Sequence, residues 1–145
     1  MSNPVQLLQE TTTSSILSAI DGKSPFTDRA IFSDYTAVGS LTRNTSSWVY
    51  DFDGITGIVA WNDRTSTEIG GAAVTKRHVV YSKHASYVAG DTVYFVTKDN
   101  TLVTREIVAV KNFPLTYGDY GIALLESDLP ETIDVLKVLP KEAYR

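Results

Sequence analysis

The chain has 145 residues, 43% of them hydrophobic and 21% charged, with a net charge of −4. That length holds one domain with a real core, and the balance excludes a disordered or collagen-like chain. The acidic balance argues against nonspecific nucleic-acid binding, no apolar run approaches the roughly 18–20 residues that span a bilayer, and the absence of cysteine removes disulfides, Cys nucleophiles, zinc knuckles and iron–sulfur clusters.

Met1-Ser2-Asn3-Pro4 carries no positive side chain, and polar residues follow it, unlike a secretion signal. A cytoplasmic or particle-associated setting is therefore expected. Residues 1–22 read as one short helix or a mobile arm: Leu7, Leu8, Ile16, Leu17, Ala19 and Ile20 form a partial apolar stripe, and Asp21-Gly22 is a stop. The hydroxylated run 11–15 weakens the helix, because such side chains compete for backbone bonds. Residues 23–47 read as a loop-rich connector with Pro25 and Gly39. The Asn44-Thr45-Ser46 sequon inside it is read as chance. Residues 1–47 are thus an arm and connector, and 48–145 the folded unit.

From Trp48 onward, short stretches rich in Val, Ile, Tyr and Thr predict strands at 48–52, 55–62, 68–75, 78–82, 92–97, 102–110, 120–126 and 135–139. Asp53-Gly54, Asn62-Asp63, Gly90-Asp91, the run 98–101 and Pro114 supply turn chemistry between them. The hairpin at Asp99-Asn100 is the clearest, with Val93, Phe95 and Thr97 alternating before it and Leu102, Thr104 and Glu106 after it. Many short, closely spaced strands predict an all-β sandwich or small barrel. Leu129-Pro130 and Leu139-Pro140 end segments near the C-terminus.

The chain has only two histidines, His78 and His84. Their i, i+6 spacing across a strand and turn is not a recurrent ligand pattern, so no metal and no cofactor are expected. Gly70-Gly71 has no helix after it and is no phosphate loop. Asp119 opens an apolar strand, and a carboxylate near apolar surroundings needs a partner. A histidine is one natural partner. His84 also suits a turn cap, Asp119 a plain turn or ion pair, and His78 a packing or backbone-bonding role. Lys76-Arg77 reads as a solvated turn.

The run from Gly70 to Ala85 resembles the segment of chymotrypsin/trypsin-like serine peptidases that carries the catalytic histidine. That pattern is Gly-Gly, a strand, a turn, a Val-Val pair and a small-small-His ending. Gly70-Gly71, Val79-Val80 and His84 fall on it without a gap. Asp119 with Ile122-Ala123-Leu124-Leu125 is similar to the family's Asp-Ile-Ala-Leu-Leu motif, with Tyr120-Gly121 intervening. Residues 136–140 resemble the end of the first barrel, and the likeness covers roughly residues 55–140. Lys83 stands where the family has a small residue, and Ala85 where secreted relatives carry a disulfide cysteine.

The resemblance implies a six-stranded Greek-key barrel of the trypsin-like type behind an N-terminal helical or irregular extension. It makes His84 the general base and Asp119 the carboxylate that orients it. It places the nucleophile loop, oxyanion hole and specificity pocket on a second barrel outside these 145 residues. No Gly-x-Ser-x-Gly occurs here; Ser82 and Ser127 are nearest the motifs, but neither is on a glycine-flanked turn. The expected partner is a serine-bearing C-terminal barrel or a processed second chain, since Ala143-Tyr144-Arg145 ends on a residue that a trypsin-type cut would leave. The competing expectation is a non-catalytic structural or interaction module, such as a virus or phage particle component. That module would bury its open face in a homo-oligomer or under residues 1–47. Neither reading involves nucleic acid or membrane.

Overall fold

The computed structural model describes residues 3–24, 26–52, 54–63, 69–138 and 140, and within them the chain is mostly strand with one α-helix. Met1, Ser2, Pro25, Asp53, Glu68, Leu139 and residues 143–145, which the sequence reading used, lie outside that set.

Helix α1 spans Pro4–Ile20. It starts where the sequence provides for a start: Asn3 accepts a hydrogen bond from the Val5 N–H at 3.0 Å, and Pro4 occupies a position whose missing N–H costs nothing. It ends before Gly22, whose φ is +70°. The hydroxylated run does not interrupt it. No α1 residue is buried, and Leu7, Leu8, Ile16, Leu17 and Ile20 are all exposed.

The connector contains a two-stranded hairpin, β1 (Phe32–Asp34) and β2 (Thr42–Arg43), where only loop was expected. Arg43 explains why it forms. Its side chain is buried, Nη2 donates to the Val96 and Ile55 carbonyls, and the guanidinium lies 4.8 Å from the Phe32 ring centroid. The Tyr35 hydroxyl donates to the Ala60 carbonyl at 2.7 Å, and Leu41 packs with Ala60 and Val96. These contacts are long-range, so local composition gives no sign of them.

The main sheet has six antiparallel strands in the order β3-β6-β7-β8-β5-β4. They are β3 (Trp61–Asn62), β4 (Gly71–Thr75), β5 (His78–Ser82), β6 (Thr92–Val96), β7 (Leu102–Asn112) and β8 (Tyr120–Leu125). The sheet curls until the segment leading into β3 also reaches β4 at the opposite edge: Ala60 N–H donates to the Tyr94 carbonyl of β6, and Val59 N–H to the Gly71 carbonyl of β4. A register shift in β7 between Ile107 and Ala109 adds bend, as bulges do. Inward positions alternate as the period of two requires. Val79 and Tyr81, Val93 and Phe95, and Gly121, Ala123 and Leu125 are buried, and with Ile107, Tyr87 and Ile133 they fill the concave side.

Three predicted strands are corrected. Residues 48–52 are mostly turn, held by Tyr50 N–H to the Ser47 carbonyl and Phe52 N–H to the Val49 carbonyl. The stretch 55–62 opens with a 3-10 turn, Ile55–Gly57, after Gly54 at φ +84°, so only Trp61–Asn62 is strand. Residues 135–138 belong to no strand; Leu136 N–H donates to the Ala73 carbonyl and Asp134 N–H to Thr56 Oγ1. In each case apolar composition matched a strand while the available hydrogen-bond partners dictated otherwise.

The β6–β7 hairpin forms as its sequence predicts, with Val96 opposite Leu102. Asn100 takes φ +68°, and its Oδ1 accepts the Arg43 N–H at 2.7 Å, joining this turn to β2. Asn100→Ala is expected to cost about 2 kcal/mol, roughly half from left-handed backbone and half from the lost bond. Asn100→Gly removes only the second part and should fall between wild type and Ala in urea unfolding. Equal stability of the two variants would show that backbone strain does not select Asn100.

Candidate functional site

His84 and Asp119 are 35 residues apart in sequence, and the β5–β8 pairing brings them together. Ser82 at the end of β5 lies opposite Tyr120 at the start of β8. His84 sits just past that end, in the 3-10 turn Lys83–Ala85, and Asp119 just before the start of β8. The Lys83 N–H reaches the Asp119 carbonyl at 3.4 Å, so the ladder continues one step beyond the strands. The loop before Asp119 is fixed on its other side. Phe113 stacks on Tyr120 at 4.8 Å between centroids, and Gly118 takes φ +111°, where a side chain is strained.

His84 Nδ1 hydrogen-bonds Asp119 Oδ2, and the His84 backbone N–H donates to Asp119 Oδ1 at 3.1 Å. The Ser82 hydroxyl donates to Asp119 Oδ2 at 3.0 Å. A carboxylate only accepts, so Nδ1 must carry the hydrogen and Nε2 keeps the lone pair. The His84 side chain is 78% exposed, which leaves the Nε2 edge at the surface. The arrangement is that of an oriented base: the carboxylate fixes the tautomer and would stabilise an imidazolium formed by proton uptake at Nε2.

The Asp119 carboxyl is held below the usual carboxylate range, first by the His84 hydrogen bond; desolvation opposes it as the next-largest effect, and the Ser82 hydroxyl, the His84 charge and the His84 N–H lower it further. Its folded state therefore binds the proton less readily than the unfolded chain. The contribution is complete above the ordinary carboxylate pKa and is lost as pH falls through the lowered folded value. A carbon-detected titration of Asp119 should show a midpoint below 3.8, rising toward it in His84→Ala. An unchanged midpoint in that variant would mean that the pairing does not hold in solution.

The other singled-out residues lie elsewhere. His78 is at the opposite end of β5, exposed, with Nδ1 at 2.7 Å from Thr75 Oγ1. Its backbone N–H also donates to Thr75 Oγ1, at 3.0 Å, so the backbone-bonding role expected of it is present beside the ring contact. Ser127 follows the far end of β8, away from Asp119. Lys76 and Arg77 are not simply solvated: Lys76 Nζ donates to the Pro130 and Ile133 carbonyls, and Arg77 to the Leu125 and Glu126 carbonyls. They fasten the segment after β8. Ser82, which the sequence reading weighed only as a nucleophile, is the third member of the cluster.

No family model matches the chain, and no curated protein matches it.

Proposed function

We propose that the chain is the His/Asp-bearing half of a trypsin-like serine endopeptidase, completed by a barrel that supplies the nucleophilic serine. The observation that carries this reading is the His84 Nδ1–Asp119 Oδ2 hydrogen bond, made at the adjoining ends of β5 and β8 with the Nε2 edge exposed. The strand order, with three successive antiparallel neighbours β6-β7-β8 and β8 coming back beside β5, the strand that precedes them, favours a Greek-key barrel of that type.

In the proposed reaction, His84 Nε2 takes the proton from the serine hydroxyl as its oxygen bonds to the scissile carbonyl carbon. The imidazolium then gives that proton to the leaving amine as the C–N bond breaks. Water, deprotonated by the same nitrogen, releases the acyl group and restores the serine. Ser82 does not fill the nucleophile's place. It lies on the Nδ1 edge, against the carboxylate, whereas the proton must be taken at Nε2.

The test is fluorophosphonate labelling of the protein purified from its native source. The expected result is a labelled serine outside residues 1–145, with labelling abolished by His84→Ala. A labelled serine within these residues, or no labelling in the native material, overturns the reading.

A second reading, a non-catalytic interaction module, is favoured by α1, whose Leu7, Leu8, Ile16, Leu17 and Ile20 are exposed with no α1 residue buried. Apolar side chains grouped on one short helix are what an assembly contact uses. Native material without a labelled serine supports this alternative.

A further inference from the structure

We propose that Ser82 is a positioning residue of the His84–Asp119 pair, its hydroxyl seated between Asp119 Oδ2 and His84 Nδ1 so that the imidazole stays in the tautomer with Nε2 free. The proposal deepens the reading above and rests on it for its catalytic meaning.

Three polar groups meet at one point. Ser82 Oγ is 2.9 Å from His84 Nδ1 and 3.0 Å from Asp119 Oδ2, and those two atoms bond each other. Nδ1 has one in-plane site, and the acceptor-only carboxylate requires that site to be N–H. The Ser82 hydroxyl hydrogen must therefore point at Oδ2, while an oxygen lone pair faces the Nδ1 hydrogen. In that arrangement Asp119 has three donors, all from the segment 82–84: the Ser82 hydroxyl and His84 Nδ1 on Oδ2, and the His84 N–H on Oδ1. A carboxylate bound at both oxygens cannot swing away from the ring. A ring whose Nδ1 hydrogen meets two oxygens has more to lose by changing tautomer. The pair is thus assembled by β5 and β8 alone and needs nothing from another chain to hold its geometry.

The experiment uses the 145-residue chain, nitrogen-15 labelled, and reads His84 by long-range proton–nitrogen correlation at a pH where the ring is neutral. In wild type, Nδ1 should show the shift of a protonated ring nitrogen and Nε2 that of a bare one. In Ser82→Ala the two nitrogen shifts should move toward each other as the other tautomer gains population, and Ser82→Thr, which keeps the hydroxyl, should restore the wild-type pattern. Ser82→Cys, close in size with a weak donor, should behave like Ala and serves if the Ala variant fails to fold. Unchanged nitrogen shifts in the folded Ala or Cys variant overturn the proposal. The readout does not depend on hydrolysis. Shifted nitrogens with no labelled serine in native material keep the role of Ser82 and remove the peptidase reading; unchanged nitrogens with a labelled serine do the reverse.

Discussion

If the proposed peptidase is assembled with its serine-bearing barrel, Asp119→Asn is expected to lower its kcat by about ten-thousandfold while leaving the fold intact. The reason is the tautomer. An amide oxygen at Oδ1 still accepts the His84 backbone N–H, now at 3.1 Å, so the loop is held. The amide nitrogen then falls at Oδ2 and donates to Nδ1, which must give up its hydrogen. The hydrogen moves to Nε2, where the base lone pair is needed. Steady-state kinetics on a peptide substrate, with His84→Ala as reference, checks this. The His84→Ala loss should be the larger of the two, and the double variant should be no worse than His84→Ala, because the residues act as one unit. Retention of activity within tenfold of wild type would show that His84 does not depend on Asp119 and would remove the proposed mechanism.

Gly121→Ala should destabilise the chain by about 3 kcal/mol, the upper end of what overpacking usually costs. Gly121 faces Tyr81 across one side of β8 and Asn112 across the other. A Cβ there would lie 2.5 Å from Tyr81 Cζ and 2.6 Å from both Tyr81 Oη and Asn112 Oδ1. These are the two side chains whose mutual hydrogen bond, 2.8 Å from Tyr81 Oη to Asn112 Oδ1, spans the glycine. The intruding methyl must push apart a buried ring and break that bond together. Equilibrium urea unfolding measures the loss. Tyr81→Leu in the same chain vacates the space, so the double variant should be more stable than the sum of the single changes by about 1 kcal/mol or more. Strict additivity would show that the steric conflict is not at Tyr81. The strand start is shared with the candidate site, two residues from Asp119. The same variant should therefore broaden the His84 ring signals.

This glycine also accounts for a departure in the sequence. Tyr120-Gly121 interrupts the expected run from the aspartate into apolar residues. Each has a packing reason: Tyr120 stacks on Phe113 to close the preceding loop, and Gly121 makes room for the Tyr81–Asn112 bridge. Neither reason is visible without knowing which strands lie beside β8.

The sequence by itself determined the elements whose partners are near in the chain or whose pattern is periodic. The β6–β7 hairpin, β5 and β8 follow from alternation and turn chemistry, and α1 from its partial apolar stripe and its Asp21-Gly22 stop. Asp119 was legible as a carboxylate in need of a partner, and motif likeness named His84 as that partner, since nothing local links residues 35 apart. The tertiary structure alone decided the rest. It drew Arg43 into the Val96 and Ile55 carbonyls and so made a hairpin of a loop-like connector. It turned residues 48–52 and left 135–138 outside any strand, although both are apolar enough for strands. It set Ser82 against the carboxylate. Periodicity records which face a residue presents, a property of its own strand. Hydrogen-bond satisfaction depends on which donors and acceptors distant segments bring alongside, and those are fixed only when the sheet curls.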